Sequence, residues 1–218
     1  MWATNEGAVM GIEIPPFGTD MTRVSAYALF TEGWHVYRVF LPLPTRLGEI
    51  HLSWADLAEQ AGTVLGPQTT LLELLPRGVD LVAEPEARAG HGFIPALLEA
   101  LTNHTDIFEP HVIVRWTGYA ESGDADEVAL RGSHLGPWQM REFAATLEPL
   151  TDLIHVEHSG LHLPTHVWSL NRSLVITCPM FFDSLYISSP TLTGEELAAA
   201  GLEAVLVPTD SPLPIAGD

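Results

Sequence analysis

The chain has 218 residues, 28 acids, nine bases and a formal net charge of −19. An apolar fraction of 46% and a mean hydropathy of +0.17 predict a folded globular chain and exclude wholesale disorder. All nine bases are arginine, so lysine Schiff-base chemistry and a P-loop lysine are excluded, and the acidic field disfavours nucleic acid and anionic membranes as partners.

Residues 1–20 hold Gly, Pro and few periodic apolar positions and read as an irregular arm. They lack the basic region and apolar run of a signal peptide, so a cytoplasmic protein is expected. No apolar run in the chain approaches the ~18 residues of a spanning helix. "VSAYALF" (24–30) and "WHVYRVFL" (34–41) read as strands, and the short "TEG" between them predicts a hairpin. Pro42 and Pro44 then break the ladder.

"SWADLAEQAG" predicts a helix capped by Ser53 with Asp56, carrying a Trp54, Leu57, Ala58, Ala61 stripe and stopped by Gly62. Thr70 with Glu73 opens "LLELL" as a helical turn or a strand. "VDLVAEPEARAGHG" reads as a strand end and a loop. "FIPALLEALTNH" predicts a helix striped by Ile94, Leu97, Leu98 and Leu101.

Beyond "TDIFEP", "HVIVRWTGY" (111–119) is the clearest strand, followed by the acidic turn "ESGDAD" and a return strand "EVALR". Pro137 suits the first turn of a helix with a Met140, Phe143, Ala144, Leu147 stripe. "DLIHVEH" alternates as a strand does. "HVWSL" and "SLVITC" form a hairpin through Asn171 and Arg172, and "MFFDSLYIS" continues the sheet. Thr193 with Glu196 caps a short helix that Gly201 stops, and "LEAVLVP" returns as a strand. The predicted fold is therefore α+β: a mixed, largely antiparallel sheet with about four interleaved helices. A single domain is expected over 21–208, with a possible internal boundary near 103–110, and 209–218 as a loose tail.

"HVEHSGLHLPTH" (155–166) carries four of the ten histidines. Gly160 and Pro164 forbid the helix that would align His158, His162 and His166. There is no H-E-x-x-H motif and no Cys/His pairing, so loop histidines are the preferred reading and no cofactor is expected. The alternative is a zinc-dependent hydrolase with His155, His158 and His162 as ligands and Glu157 as base. Cys178, the single cysteine, sits in an apolar strand and reads as a buried hydrophobe. G-x-S-x-G and G-x-G-x-x-G are absent, and no local feature recommends an enzyme. Trp34, Trp116 and Trp168 lie on predicted strands and are expected in the core. Trp2 and Trp138 are expected at the surface, where tryptophan in acidic surroundings anchors a protein partner.

"RWTGY", "EVALRGSHLGPWQ", "HVWSLNRSLVITCPMFFDSLYIS" and "GLEAVLV" cover about half the chain. They resemble an uncharacterised family of small acidic proteins of high-GC bacteria, matched at Trp116, Gly118, Gly136, Pro137, Trp168, Arg172 and Ser173. The chain departs from that family at Leu174, where a tryptophan is usual, and at Asn171, where an acid is usual. The family resembles toxin-immunity proteins in size, acidity and strand content, and it supplies no catalytic residue. The function expected is an acidic protein-binding module, of the immunity type, that occludes a basic toxin. Glu121, Asp124, Asp126, Glu127 and Trp138 are its candidate binding residues. A homo-oligomeric structural subunit is a further alternative.

Overall fold

The computed structural model describes residues 33–43, 53–74, 92–116, 128–130, 143–155, 163–178, 183–208 and 210–211. Among these residues eight strands form one sheet: β1 (His35–Phe40), β2 (Pro110–Trp116), β3 (Val128–Leu130), β4 (Phe143–Pro149), β5 (His166–Ser169), β6 (Val175–Thr177), β7 (Ser184–Ser189) and β8 (Ala204–Leu206). Their order is β3-β4-β2-β5-β6-β7-β1-β8, and every pairing among them is antiparallel. Among the described residues four helices are interleaved: α1 (Trp54–Gln60), α2 (Leu71–Leu74), α3 (Phe93–Leu101) and α4 (Gly194–Ala199). The α+β class expected from the sequence is the class observed.

The helices start where local chemistry says they should. In α1 the Ser53 hydroxyl accepts from the Asp56 amide at 2.9 Å, and Asp56 returns the bond to the Ser53 amide at 3.2 Å. Glu203, next to β8, adds a long-range cap by accepting from the Trp54 and Ala55 amides at 2.9 and 2.7 Å. Thr193 and Glu196 form the equivalent box on α4. Gly62 and Gly201 follow α1 and α4 with φ of +68° and +80°, a conformation that side chains with a Cβ resist.

The strands alternate between two packed faces. Tyr37, Val39, Ile113, Val167, Ile176, Leu185 and Ile187 meet α3 and α4 on one side, where Ile94, Leu97, Leu101 and Leu197 complete the larger core. Phe40 meets Trp54, Leu57, Leu71 and Leu74 of α1 and α2 on the other side. The Phe40 and Trp54 rings stand 4.7 Å apart between centroids, and the indole N–H donates to the Leu41 carbonyl at 2.8 Å. The sheet itself separates the two cores: β1, between β7 and β8, sends Tyr37 and Val39 into one and Phe40 into the other.

β1 is the strand expected, and the hairpin expected with 24–30 falls outside the described residues. Three expectations are corrected. β3 does not return onto β2: it pairs with β4, because β4 and β5 already occupy both edges of β2. Phe143, Ala144 and Leu147, expected on one face of a helix after Pro137, belong instead to strand β4, with Phe143 and Leu147 opposite Trp116 and Val112, while Pro137 and Met140 lie outside the described residues. "DLIHVEH" does not begin as a strand: a 3-10 turn over Leu150–Asp152 runs into a helical turn through residue 155, burying Leu150 and Leu153.

Candidate functional site

Polar side chains gather in two places. The first is a row across the middle of the sheet. Register places Arg38 opposite Tyr186, Tyr186 opposite Thr177, Thr177 opposite His166, and His166 opposite Val114. All four polar members are at most 1% exposed. The Arg38 Nε donates to Ser184 Oγ at 2.8 Å, Nη1 to the carbonyls of Pro67 and Thr69 at 3.1 and 2.7 Å, and Nη2 to Asp183 Oδ1 at 2.9 Å. Its guanidinium also covers the Phe40 ring, 4.6 Å from the centroid. A buried cation so completely bonded is a clamp holding residues 67–69 to the sheet rather than a group offered to a ligand.

The rest of the row is chemically quiet. Burial pushes the His166 imidazole down to about 3, so it is neutral, with Nδ1 3.2 Å from Thr177 Oγ1. Burial pushes the Tyr186 phenol and the Cys178 thiol well up; for Tyr186 the Arg38 charge opposes this and Asp183 adds to it. Cys178 therefore behaves as the buried hydrophobe expected of it, without thiolate character.

The second place is the segment joining α3 to β2, at one end of the sheet. His104, just past α3, has Nδ1 2.8 Å from Thr191 Oγ1 and Nε2 3.2 Å from Glu196 Oε2, the latter a close approach rather than an aligned hydrogen bond. Glu196 is held below the usual carboxylate range, first by the Thr193 hydroxyl and amide and then by His104. Ser173 of the β5–β6 turn donates to the His104 carbonyl at 3.3 Å. His111 has Nδ1 2.8 Å from the Glu109 carbonyl and Nε2 3.0 Å from Thr105 Oγ1. Burial lowers its pKa against the raising effects of the Glu109 carbonyl and the Asp106 and Glu109 charges, which keeps the ring neutral. A carbonyl can only accept, so Nδ1 carries the proton and Nε2 accepts from the Thr105 hydroxyl. Asp106 Oδ1 accepts from the Phe108 amide at 3.0 Å, and the Thr151 amide donates to the Ile107 carbonyl at 3.3 Å.

This bracing holds Phe108 out in solvent at 73% exposure. Leu170, in the turn between β5 and β6, is 57% exposed. The β2–β5 register ends with His111 opposite Ser169, and Ser173 of the following turn bonds the His104 carbonyl, so the β5–β6 turn and the α3–β2 segment lie at the same end of the sheet. Asp106, Glu109 and Asp152 are exposed there, as is Arg172.

Glu121, Asp124, Asp126, Glu127 and Trp138 lie outside the described residues, and so do His158 and His162. Of the two described histidines in the 155–166 stretch, His155 is exposed at the end of the helical turn, whereas His166 is sealed in β5. Among the described residues no group of three or more His, Cys, Asp or Glu side chains could hold a metal ion. Trp168 is buried as expected, while Trp34 is half-buried. Arg172 takes φ +57° in the β5–β6 turn, and Ser169 Oγ accepts from the Ser173 and Leu174 amides at 2.9 and 3.1 Å. The Arg-Ser step thus shapes a turn. The sequence reading passed over Phe108, although "TDIFEP", an aromatic between acids before a proline, was a signal for it.

No protein-family model, curated protein or solved structure matches the chain. No helix among the described residues is long and apolar enough to cross a membrane.

Proposed function

We propose that the protein is an acidic protein-binding module that grips a basic partner, of the immunity type that blocks a toxin by occlusion. One observation carries this reading. Among the described residues nine carboxylates are exposed against a single exposed guanidinium, that of Arg172. The other two described arginines are consumed internally: Arg38 by Asp183, and Arg115 by Glu148 at 2.9 Å. Among the described residues the exposed surface is therefore strongly acidic, in the same sense as the net charge of −19. Such a surface steers a cationic macromolecule into contact and repels phosphate backbones.

The mechanism is occlusion. Carboxylates neutralise the partner's basic surface, apolar contact excludes water from the middle of the interface, and the protein's own residues perform no bond-making step. Glu121, Asp124, Asp126 and Glu127 remain the proposed acidic contacts from the segment between β2 and β3.

The test is co-purification from native lysate at low ionic strength, followed by association kinetics with the purified partner. A basic partner whose association slows by about tenfold or more between 0.05 and 0.5 M salt is expected. Reversing the four charges at 121, 124, 126 and 127 is expected to slow it further. An acidic or neutral partner with salt-independent association would remove the reading.

A further inference from the structure

We propose that the segment between α3 and β2 is the docking surface for that basic partner, with Phe108 as its apolar anchor and Leu170, in the β5–β6 turn at the same end of the sheet, as a second apolar contact. The proposal rests on the binding-module reading and adds where the partner sits and what it must present.

Four large apolar side chains are markedly exposed among the described residues: Val64, Phe108, Leu170 and Leu206. Isolated cases are ordinary on any surface. Phe108 differs because its exposure is enforced. Asp106 fixes its amide, His111 fixes the carbonyl of Glu109 behind it, and the Ile107 carbonyl is tied to Thr151. His104, at the other end of the segment, is gripped by Thr191, Glu196 and Ser173. A segment held at this many points has little freedom to fold its aromatic ring inward. An aromatic side chain pre-positioned in solvent loses little further entropy on binding, which is what an interface anchor requires.

Charge supplies the partner's chemistry. Asp106 and Glu109 flank Phe108 in the chain, and Asp152 follows the residue bonded to Ile107, so three exposed carboxylates belong to the same stretch of surface as Phe108. Arg172 is the one exposed guanidinium at this end, and the balance remains negative. The fitting partner is a protein with an apolar pocket rimmed by lysine or arginine.

Two synthetic peptides of equal positive charge test this, one alternating arginine with leucine and one alternating arginine with serine, with affinity read by fluorescence anisotropy. The native protein is expected to prefer the arginine–leucine peptide by about tenfold. Phe108→Ser with Leu170→Ser should bring that preference to within about twofold while binding of the arginine–serine peptide is kept. Val64→Ser and Leu206→Ser, elsewhere on the surface, should keep the preference. Asp106→Asn, Glu109→Gln and Asp152→Asn together should weaken both peptides alike, since Asn retains the oxygen that fixes the Phe108 amide. A preference that survives loss of Phe108 and Leu170, or one equally lost at Val64 or Leu206, overturns the docking surface and leaves the acidic-binder reading standing. Failure of the native protein to bind either peptide overturns both.

Discussion

The polar row in the sheet and the braced segment at its end use the same residue types to opposite effect. In the row, Arg38, His166 and Thr177 spend their hydrogen bonds on one another's neighbours and present nothing to solvent. In the segment, His104, His111, Thr105 and Asp106 spend theirs on holding the backbone, and the product is an exposed phenylalanine. Histidine or arginine content therefore says little about function until one asks what the bonds hold still. The row's bonds close the fold, and the segment's bonds keep a surface open.

The largest expected effect lies in the row. Arg38→Met removes a buried cation and strands Asp183, Ser184 and two carbonyls together. Breaking a buried pair from one side costs about 3–5 kcal/mol, to be read by urea denaturation. Adding Asp183→Asn should recover part of that loss, because it removes the uncompensated charge. A cost below about 1 kcal/mol would mean that the row does not clamp the loop.

Acid should separate the two regions next. The His166 pKa is lowered in the fold to about 3 from 6.5, so the unfolded chain binds a proton that the native state refuses. Stability from this group is complete above pH 6.5 and falls with decreasing pH towards 3, by about 1.4 kcal/mol per unit. His111, also lowered by burial, acts in the same direction. Glu148 adds a loss at lower pH: burial raises it, but the hydrogen bonds of Arg115 and Thr146 and the Arg115 charge outweigh that and leave it lowered. Its stabilisation is present above its unfolded pKa and is lost as pH falls through the folded one. His166→Gln should flatten the slope of denaturation midpoint against pH between 6.5 and 4. An unchanged slope would assign the acid sensitivity elsewhere.

Local chemistry was legible in the sequence and long-range pairing was not. Ser53 with Asp56 and Thr193 with Glu196 could be read as helix starts because both partners of each box lie three residues apart. The Asn171–Arg172 turn was legible for the same reason. Phe143, Ala144 and Leu147 satisfy a helical period, yet Phe143, Ala145 and Leu147 equally satisfy a strand period. The tie is broken by pairing with Val112, Val114 and Trp116, some thirty residues earlier. β1 reads correctly as a strand, but its neighbours come from the far end of the chain. The buried row is invisible in sequence because it exists only through register. Phe108 carried a local signal, an aromatic between two acids before a proline, but its degree of exposure depends on what fails to cover it, and composition cannot report that.

The middle of the range tests whether the two regions are mechanically separate. Thr193→Ala removes the α4 cap and two of the bonds holding Glu196, the carboxylate that faces His104. It should cost about 1 kcal/mol, the usual value of a cap. Hydrogen exchange should then show faster opening at residues 102–109 with no change at β5–β7. Equal acceleration in both places would show one cooperative unit instead of a rigid sheet carrying a separately braced edge.

The smallest expected stability effect sharpens the comparison most. Phe108→Ser replaces a side chain that is 73% exposed, so folding should shift by no more than about 0.5 kcal/mol. A buried aromatic lost in this way costs about 3–5 kcal/mol. Urea denaturation of this one variant therefore decides whether the ring is in solvent or packed. A near-neutral result leaves the bonds from His104, His111 and Asp106 holding a connection whose aromatic ring contributes almost nothing to the fold, which is the state a docking anchor must have before its partner arrives.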